Sequence, residues 1–181
     1  MLKPSFKMLL RNWWPVAVWL VIIRMESTDF ASASNTFGLL YTVWKTIFGR
    51  ADPQMVEVID SGLRKSGHFL GYAILSALVF LALKRTNRDR LQPVLQRSWG
   101  TFFRDQWRFE WAVIAVLLSL VIASFDEIHQ TFLPSRTGRW QDVVIDTCGA
   151  VVMQLVICAV SVHAMSRRRN SVDEPELSHA R

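Results

Sequence analysis

Long apolar blocks alternate with shorter polar stretches along the chain, and the charges fall almost wholly between the blocks. Three blocks approach or reach the length of a bilayer crossing. Ser66–Leu83 has 18 residues with His68 near its start, and Trp111–Phe125 has 15 and extends back towards Trp107. Val143–Val162 has 20 residues and one carboxylate, Asp146, near its beginning. About 20 helical residues cover the hydrocarbon core, so each block predicts a membrane-crossing helix. A further block, Trp13–Ile23, has only 11 residues. It spans when extended back through Met8–Leu10 and forward past Arg24, whose long stem can snorkel.

The pattern therefore predicts an all-α fold, a multipass transmembrane bundle of about four helices, with short amphipathic helices in the 24–65 loop. In that loop Asn35 reads as the cap of a helix with Phe37, Leu40, Tyr41, Trp44 and Ile47 on one face. Such a helix suits the membrane surface or the flank of a bundle. Asp52-Pro53 reads as an N-cap followed by proline at the first helical position, opening a helix that runs through Leu63 into the second span. Residues 1–165 form one domain, and 166–181 a basic and then polar tail expected to be disordered. The first block has a rival reading as a cleaved signal peptide, with a basic start at Lys3, Lys7 and Arg11 and a small-x-small site at Ala31-Ser32-Ala33. Arg24, Glu26 and Asp29 crowd the stretch that such a site needs uncharged.

Composition sharpens this picture. Of 181 residues, 51% are hydrophobic, which alone would not exclude a soluble protein. The eight Trp matter more, because Trp13, Trp14, Trp107, Trp111 and Trp140 sit at block edges, the pattern of an interfacial aromatic belt. The net charge of +6 reflects basic residues dispersed over several loops, a pattern that sets topology and predicts no nucleic-acid partner. Lys and Arg number three in 1–12, seven in 84–110 and four in 163–181, and two in 126–142; the five in 24–65 are matched by five acids. The positive-inside rule then places both termini in the cytoplasm and segments 24–65 and 126–142 outside. Cys148 and Cys158 lie ten residues apart in one block. That is about 15 Å along a helix, too far for a disulfide, and both are expected to be small buried hydrophobes.

Three polar clusters sit at span ends, all on the outer side in this topology. Arg64, Lys65, His68 and Tyr72 enter the second span, and Lys65, His68 and Tyr72 share a helix face. Asp126, Glu127, His129 and Gln130 leave the third, where Asp126, His129 and Gln130 share a face. Pro134, Ser135 and Arg136 precede Asp142 and Asp146, whose face continues through Gly149 and Ala150, small residues that admit a close neighbour. A carboxylate inside a span is costly without a partner, and Arg136 and His68 are the partners expected for Asp146. Packing glue between helices would need fewer polar groups than these clusters hold.

The clusters read Arg64-Lys65-x-x-His68-Phe69-x-x-Tyr72, then Asp126-Glu127-x-x-Gln130-x-Phe132-x-Pro134-x-Arg136, then Asp142-x-x-x-Asp146-x-x-Gly149. In that order they resemble the VanZ-like family over roughly residues 13–160. Ser135 stands where the family often has Gly, and Asp146 where many members have Asn. The resemblance implies a multipass bacterial membrane protein, some of whose relatives are linked to teicoplanin (glycopeptide) resistance; it implies no settled activity.

Three readings follow, and whether the chain is an enzyme stays open between them. A binding protein would hold a polar or anionic headgroup at the outer leaflet, with Arg64, Lys65, Arg136 and Arg139 as donors. Its partner would be a membrane lipid or a lipid-linked cell-wall precursor. An intramembrane hydrolase or transferase is the alternative, since Ser66-Gly67-His68 and Ser135-Arg136-x5-Asp142-x3-Asp146 resemble part of a lipid-phosphatase signature. There Asp142 stands in place of the nucleophilic histidine, although a carboxylate can itself be a nucleophile. A metal site would draw on His68, His129, Asp126, Asp142 and Asp146, but Glu127-Ile128-His129 is not HExxH and the nearby cations repel a metal. No metal and no cofactor are assigned, and the oligomeric state is left open.

The topology makes a direct prediction. In intact cells, an impermeant thiol reagent should label a cysteine placed at residue 50 and spare one at residue 90; the reverse pattern would invert the orientation.

Overall fold

A computed structural model describes residues 6–27, 33–87, 107–133 and 138–178, with side chains for 6–27, 36–87, 107–133 and 138–167. Five helices follow one another: α1 (Phe6–Glu26), α2 (Ala33–Phe48), α3 (Pro53–Thr86), α4 (Phe109–Gln130) and α5 (Trp140–Ser178). No strand occurs among the described residues. Phe6–Glu26, Pro53–Thr86, Phe109–Gln130 and Trp140–Arg167 are long and apolar enough to cross a membrane. Their outward faces carry Val18, Leu117, Val121, Leu155 and Val160 in the open. Apolar surface on this scale belongs against lipid. The protein is a helical integral membrane protein.

Cross-helix contacts fix the direction of each span. At one end the Asn12 amide donates to Thr86 Oγ1 at 3.3 Å, joining the start of α1 to the end of α3. Trp19 Nε1 donates to the Gly71 carbonyl at 2.8 Å, half-way along both helices. Phe80 meets Trp111 edge-on, with ring centroids 6.3 Å apart, so the last turns of α3 lie beside the first of α4. At the opposite end Arg24 reaches Asp126, and His68 reaches Asp146. Neighbouring spans therefore alternate in direction. The ends of α1 and α4, the middle of α3 and the start of α5 come together.

The core runs between α1, α3 and α4 and includes Val16, Ile23, Tyr72, Leu75, Val79, Phe80, Trp111 and Ala115. Trp111 is buried there and so does not serve the aromatic belt, because its ring fills the space beside Phe80. Trp14 and Trp140 keep their exposure. α3 and α5 approach closely where Gly149 faces the backbone of Phe69; a Cβ at 149 would collide with the Phe69 carbonyl. This is the close approach expected from the small residues. One turn beyond Ala150, Gln154 Nε2 donates to Ser76 Oγ at 2.8 Å and to the Ser76 carbonyl at 3.1 Å.

The Asp52 cap forms as expected, with its carboxylate accepting from Gln54 N at 3.0 Å, and Pro53 opens one continuous helix into the span. α2 begins at Ala33, two residues before Asn35, and packs on α3 with Phe37, Leu40, Tyr41 and Trp44 half-buried. Ile47 is exposed on its last turn. α5 continues as helix to Ser178, past Arg169 where a disordered tail was expected. Extending an existing helix costs far less than nucleating one. Both cysteines are free, and Cys148 is exposed, not buried, because its side of α5 borders an open apolar groove beside Leu120 of α4 and not the closed core. α1 contributes Val16 and Ile23 to the core, so cleavage near Ala31 would remove part of it.

Gly149→Ala should lower stability by about 1–3 kcal/mol through overpacking against α3. Gly67→Ala, where a Cβ meets nothing within 4 Å, should be neutral or stabilising. Unfolding in detergent, followed by circular dichroism, compares the two.

Candidate polar site at one end of the bundle

The polar residues of the site arrive on four helices. His68 and Tyr72 lie one turn apart on the inward face of α3. Asp126, Glu127 and Gln130 are buried in the last turns of α4, and Asp146 is buried near the start of α5. His68 Nδ1 stands 3.6 Å from Asp146 Oδ1, close enough for an ion pair but long for a direct hydrogen bond. Asp146 is 1% exposed, and among the described residues its Oδ1 has no hydrogen-bond partner. Tyr72, also 1% exposed, has its hydroxyl in the same condition. Asp126, Glu127 and Asp146 all act electrostatically on both His68 and Tyr72, which places the five groups in one neighbourhood.

Asp126 is the most fully engaged carboxylate. Its Oδ2 accepts from Ser27 Oγ at 2.6 Å and from Gln130 Nε2 at 3.0 Å, and its Oδ1 faces Arg24 Nη1 at 3.8 Å. Arg24 also hydrogen-bonds His129 Nε2. The shared face of Asp126, His129 and Gln130 is therefore turned towards the end of α1. Glu127 points the other way, and its Oε2 accepts from the backbone N–H of Arg139 at 2.7 Å, tying α4 to the entry of α5. That return is tight: a Cβ at Gly138 would strike the Glu127 carbonyl and Thr131 Cγ2, so glycine is needed there.

The structure brings together His68, Tyr72, Asp126, Glu127, Gln130 and Asp146, and links His129 to them through Arg24. Asp142 is half-buried one turn before Asp146 and adds its charge to the neighbourhood. Lys65 does not join its expected face-mates. It is exposed and lines a cavity of about 420 Å³ with Ser66, Phe69, Leu70 and Ile145. Its position is rotated from His68 on the helix, and its ammonium gains hydration by turning outward. Arg64 is half-buried, and Arg139 is exposed. Arg136, with Pro134 and Ser135, lies outside the described residues, so the expected Arg136–Asp146 pairing does too.

The sequence reading missed Arg24 and Ser27 as parts of the site, and missed the burial of Asp60 on α3. By sequence Arg24 reads as a charge whose stem can snorkel and as one that crowds a cleavage site, not as a site residue. Its relation to Asp126 and His129, about a hundred residues away, leaves no local pattern. Among the described residues no group of three or more His, Cys, Asp and Glu has the arrangement of a metal site.

The VanZ/LLP1 family model matches residues 13–161, from within α1 to the middle of α5. The chain belongs to the VanZ-like family. The match takes in every element that builds this site. No curated protein and no solved structure matches the chain. In this VanZ-like protein the three recognised motifs thus meet at one end of the bundle, and the first helix adds polar groups of its own.

Asp126 depends on its donors. Ser27→Ala should destabilise by about 1–3 kcal/mol, the cost of leaving a buried acceptor short of a partner. Combined with Asp126→Asn, the loss should be less than additive, because both changes act on one contact. A double-mutant cycle of unfolding in detergent reads this coupling.

Proposed function

We propose that this VanZ-like protein binds the polar headgroup of a lipid-linked envelope molecule, with the site end of the bundle at the outer leaflet of a bacterial inner membrane. The observation that carries the reading is the pair of buried atoms that lack a hydrogen bond among the described residues, Asp146 Oδ1 and Tyr72 Oη, beside the carboxylates of Asp126 and Glu127. Unpaired buried polar atoms cost about 1–3 kcal/mol each, and a ligand that satisfies them recovers that cost. The inner groups are chiefly acceptors, whereas the cationic groups, Arg24, Lys65 and Arg139, stand at the margin. This order favours a ligand rich in hydroxyl or amine donors, such as the saccharide of a lipid-linked cell-wall precursor. The outward placement is supported by the excess of Lys and Arg in 1–12, 84–110 and 163–181. The family name supports a link to glycopeptide resistance, which sequestering or shielding such a precursor would produce.

Native mass spectrometry of the detergent-purified protein tests the reading with a polyprenyl diphosphate and the same lipid carrying a saccharide. The saccharide form should bind about tenfold more tightly, a gain of about 1.4 kcal/mol. Tyr72→Phe and Asp146→Leu should erase that preference, and Asp146→Asn should keep part of it, since an amide oxygen still accepts. Equal binding of both lipids by the natural sequence would overturn the reading.

A further inference from the structure

Beside the interior cluster, the ends of α1 and α4 enclose a groove of about 330 Å³. Leu20, Ile23, Ile122 and Phe125 line its apolar length, and Arg24, Asp126 and His129 its polar end. The groove opens on the lipid-facing side of the bundle, where Val21 and Phe125 are exposed. One end is therefore hydrocarbon-like and the other cationic and hydrogen-bonding, with about a helical turn between Ile122 and Asp126.

Arg24 decides what the polar end accepts. Its side chain is 51% exposed, so about half of it remains open to a ligand. Among the described residues its guanidinium meets one carboxylate at 3.8 Å and one imidazole. A guanidinium has five N–H donors, so most of them stay free for a second acceptor. Asp126 opposes an anion here, but its carboxylate is buried and already takes hydrogen bonds from Ser27 and Gln130. Asp126 lines the groove too, but its side chain is 7% exposed against 51% for Arg24, so the cation is the more accessible of the two. A guanidinium can only donate, so His129 Nε2 takes one of its N–H groups.

We propose that this groove is a phospholipid-type subsite in which Arg24 binds a lipid phosphate and Leu20, Ile122 and Phe125 hold the adjoining chain. The match is chemical at both ends. A planar guanidinium suits phosphate oxygens in a forked contact, and the apolar walls exclude an anion that brings no hydrocarbon with it. The inference rests on the headgroup reading above and adds to it the phosphate and the chain. Arg24 and the interior cluster meet at Asp126, so one lipid would have its phosphate at the groove and its donor-rich headgroup further in.

The test uses the delipidated, detergent-purified full chain and three probes: phosphatidic acid, diacylglycerol with the same chains, and inorganic phosphate. Native mass spectrometry should show phosphatidic acid retained and diacylglycerol bound at least about tenfold more weakly. Inorganic phosphate at matched concentration should not displace phosphatidic acid. Arg24→Gln should weaken phosphatidic acid binding by about tenfold or more, with Arg24→Lys between the two. Ile122→Trp, which fills the groove and leaves Arg24 in place, should also weaken it. Thermal unfolding without lipid identifies any variant that has lost its fold, and the remaining variants then carry the test. Unchanged binding in Arg24→Gln, or equal binding of diacylglycerol, overturns the subsite. Displacement by inorganic phosphate overturns the lipid and leaves a free-anion site. Phosphatidic acid has no headgroup beyond its phosphate, so its binding scores the groove alone. The saccharide preference scores the interior cluster, and either can fail without the other.

Discussion

A buried carboxylate in a membrane protein must find its partners inside the protein, and Asp126 is where this constraint shapes the molecule most. Hydrocarbon offers no water to solvate the charge, and the cost of an ionised side chain at depth is several kcal/mol on the insertion scale, about 2.5–3.5 at a helix centre. Asp126 meets the demand with Ser27 and Arg24 from α1 and Gln130 from its own helix. The short first span is thereby attached at its far end, where its apolar surface alone would hold it weakly. The same rule governs the rest of the bundle, where Gln154 finds Ser76 in the middle and Asn12 finds Thr86 at the opposite end. Polar pairs of this kind contribute little each, about 0.6 kcal/mol on average in measured membrane helices. Their main effect is on register. A slip of one turn between α3 and α5 would leave Gln154 without Ser76, move Asp146 off His68, and carry Gly149 away from the Phe69 backbone.

The site inherits its position from these registers. Because neighbouring spans alternate in direction, the polar ends of α1 and α4, the start of α5 and the inward face of α3 fall at one end. The close approach at Gly149 brings α5 near enough for Asp146 to face His68. Glu127 closes the assembly from the other side by holding the backbone at Arg139. What results is an acceptor-rich interior with cationic groups around its margin.

Much of this was legible along the chain, for a physical reason. Hydrocarbon thickness fixes the length of a span, so apolar runs reveal the helices directly, and the Asp52-Pro53 cap reveals where α3 begins. The polar clusters were visible because charged residues at span ends stand out against Leu, Val and Ala. Facing was harder to read. Lys65 shares a nominal helix face with His68, yet a flexible ammonium follows solvent, whereas a short imidazole cannot. Trp111 resembles a belt residue by position, yet the ring of Phe80 opposite makes it part of the core. Arg24 and Ser27 were silent because their partners lie on a helix far away in sequence, and nothing local marks a tertiary pair.

The separation between Ser27 and Asp126, 99 positions along the chain, also sets a timetable for biogenesis. At ribosomal speeds of about 5–20 residues per second, α1 emerges about 5–20 s before the helix that completes it. During that wait Arg24 has no carboxylate to face, and the interface must hold it by its long stem. α1 and α3 can already join through Trp19 and Asn12, since both of those contacts lie within the first half of the chain. The nascent protein therefore passes through a two-span stage whose open flank is the surface that α4 later covers. A chaperone or insertase that shelters this flank would meet an arginine beside Leu20 and Ile23 that is not yet committed to the finished bundle.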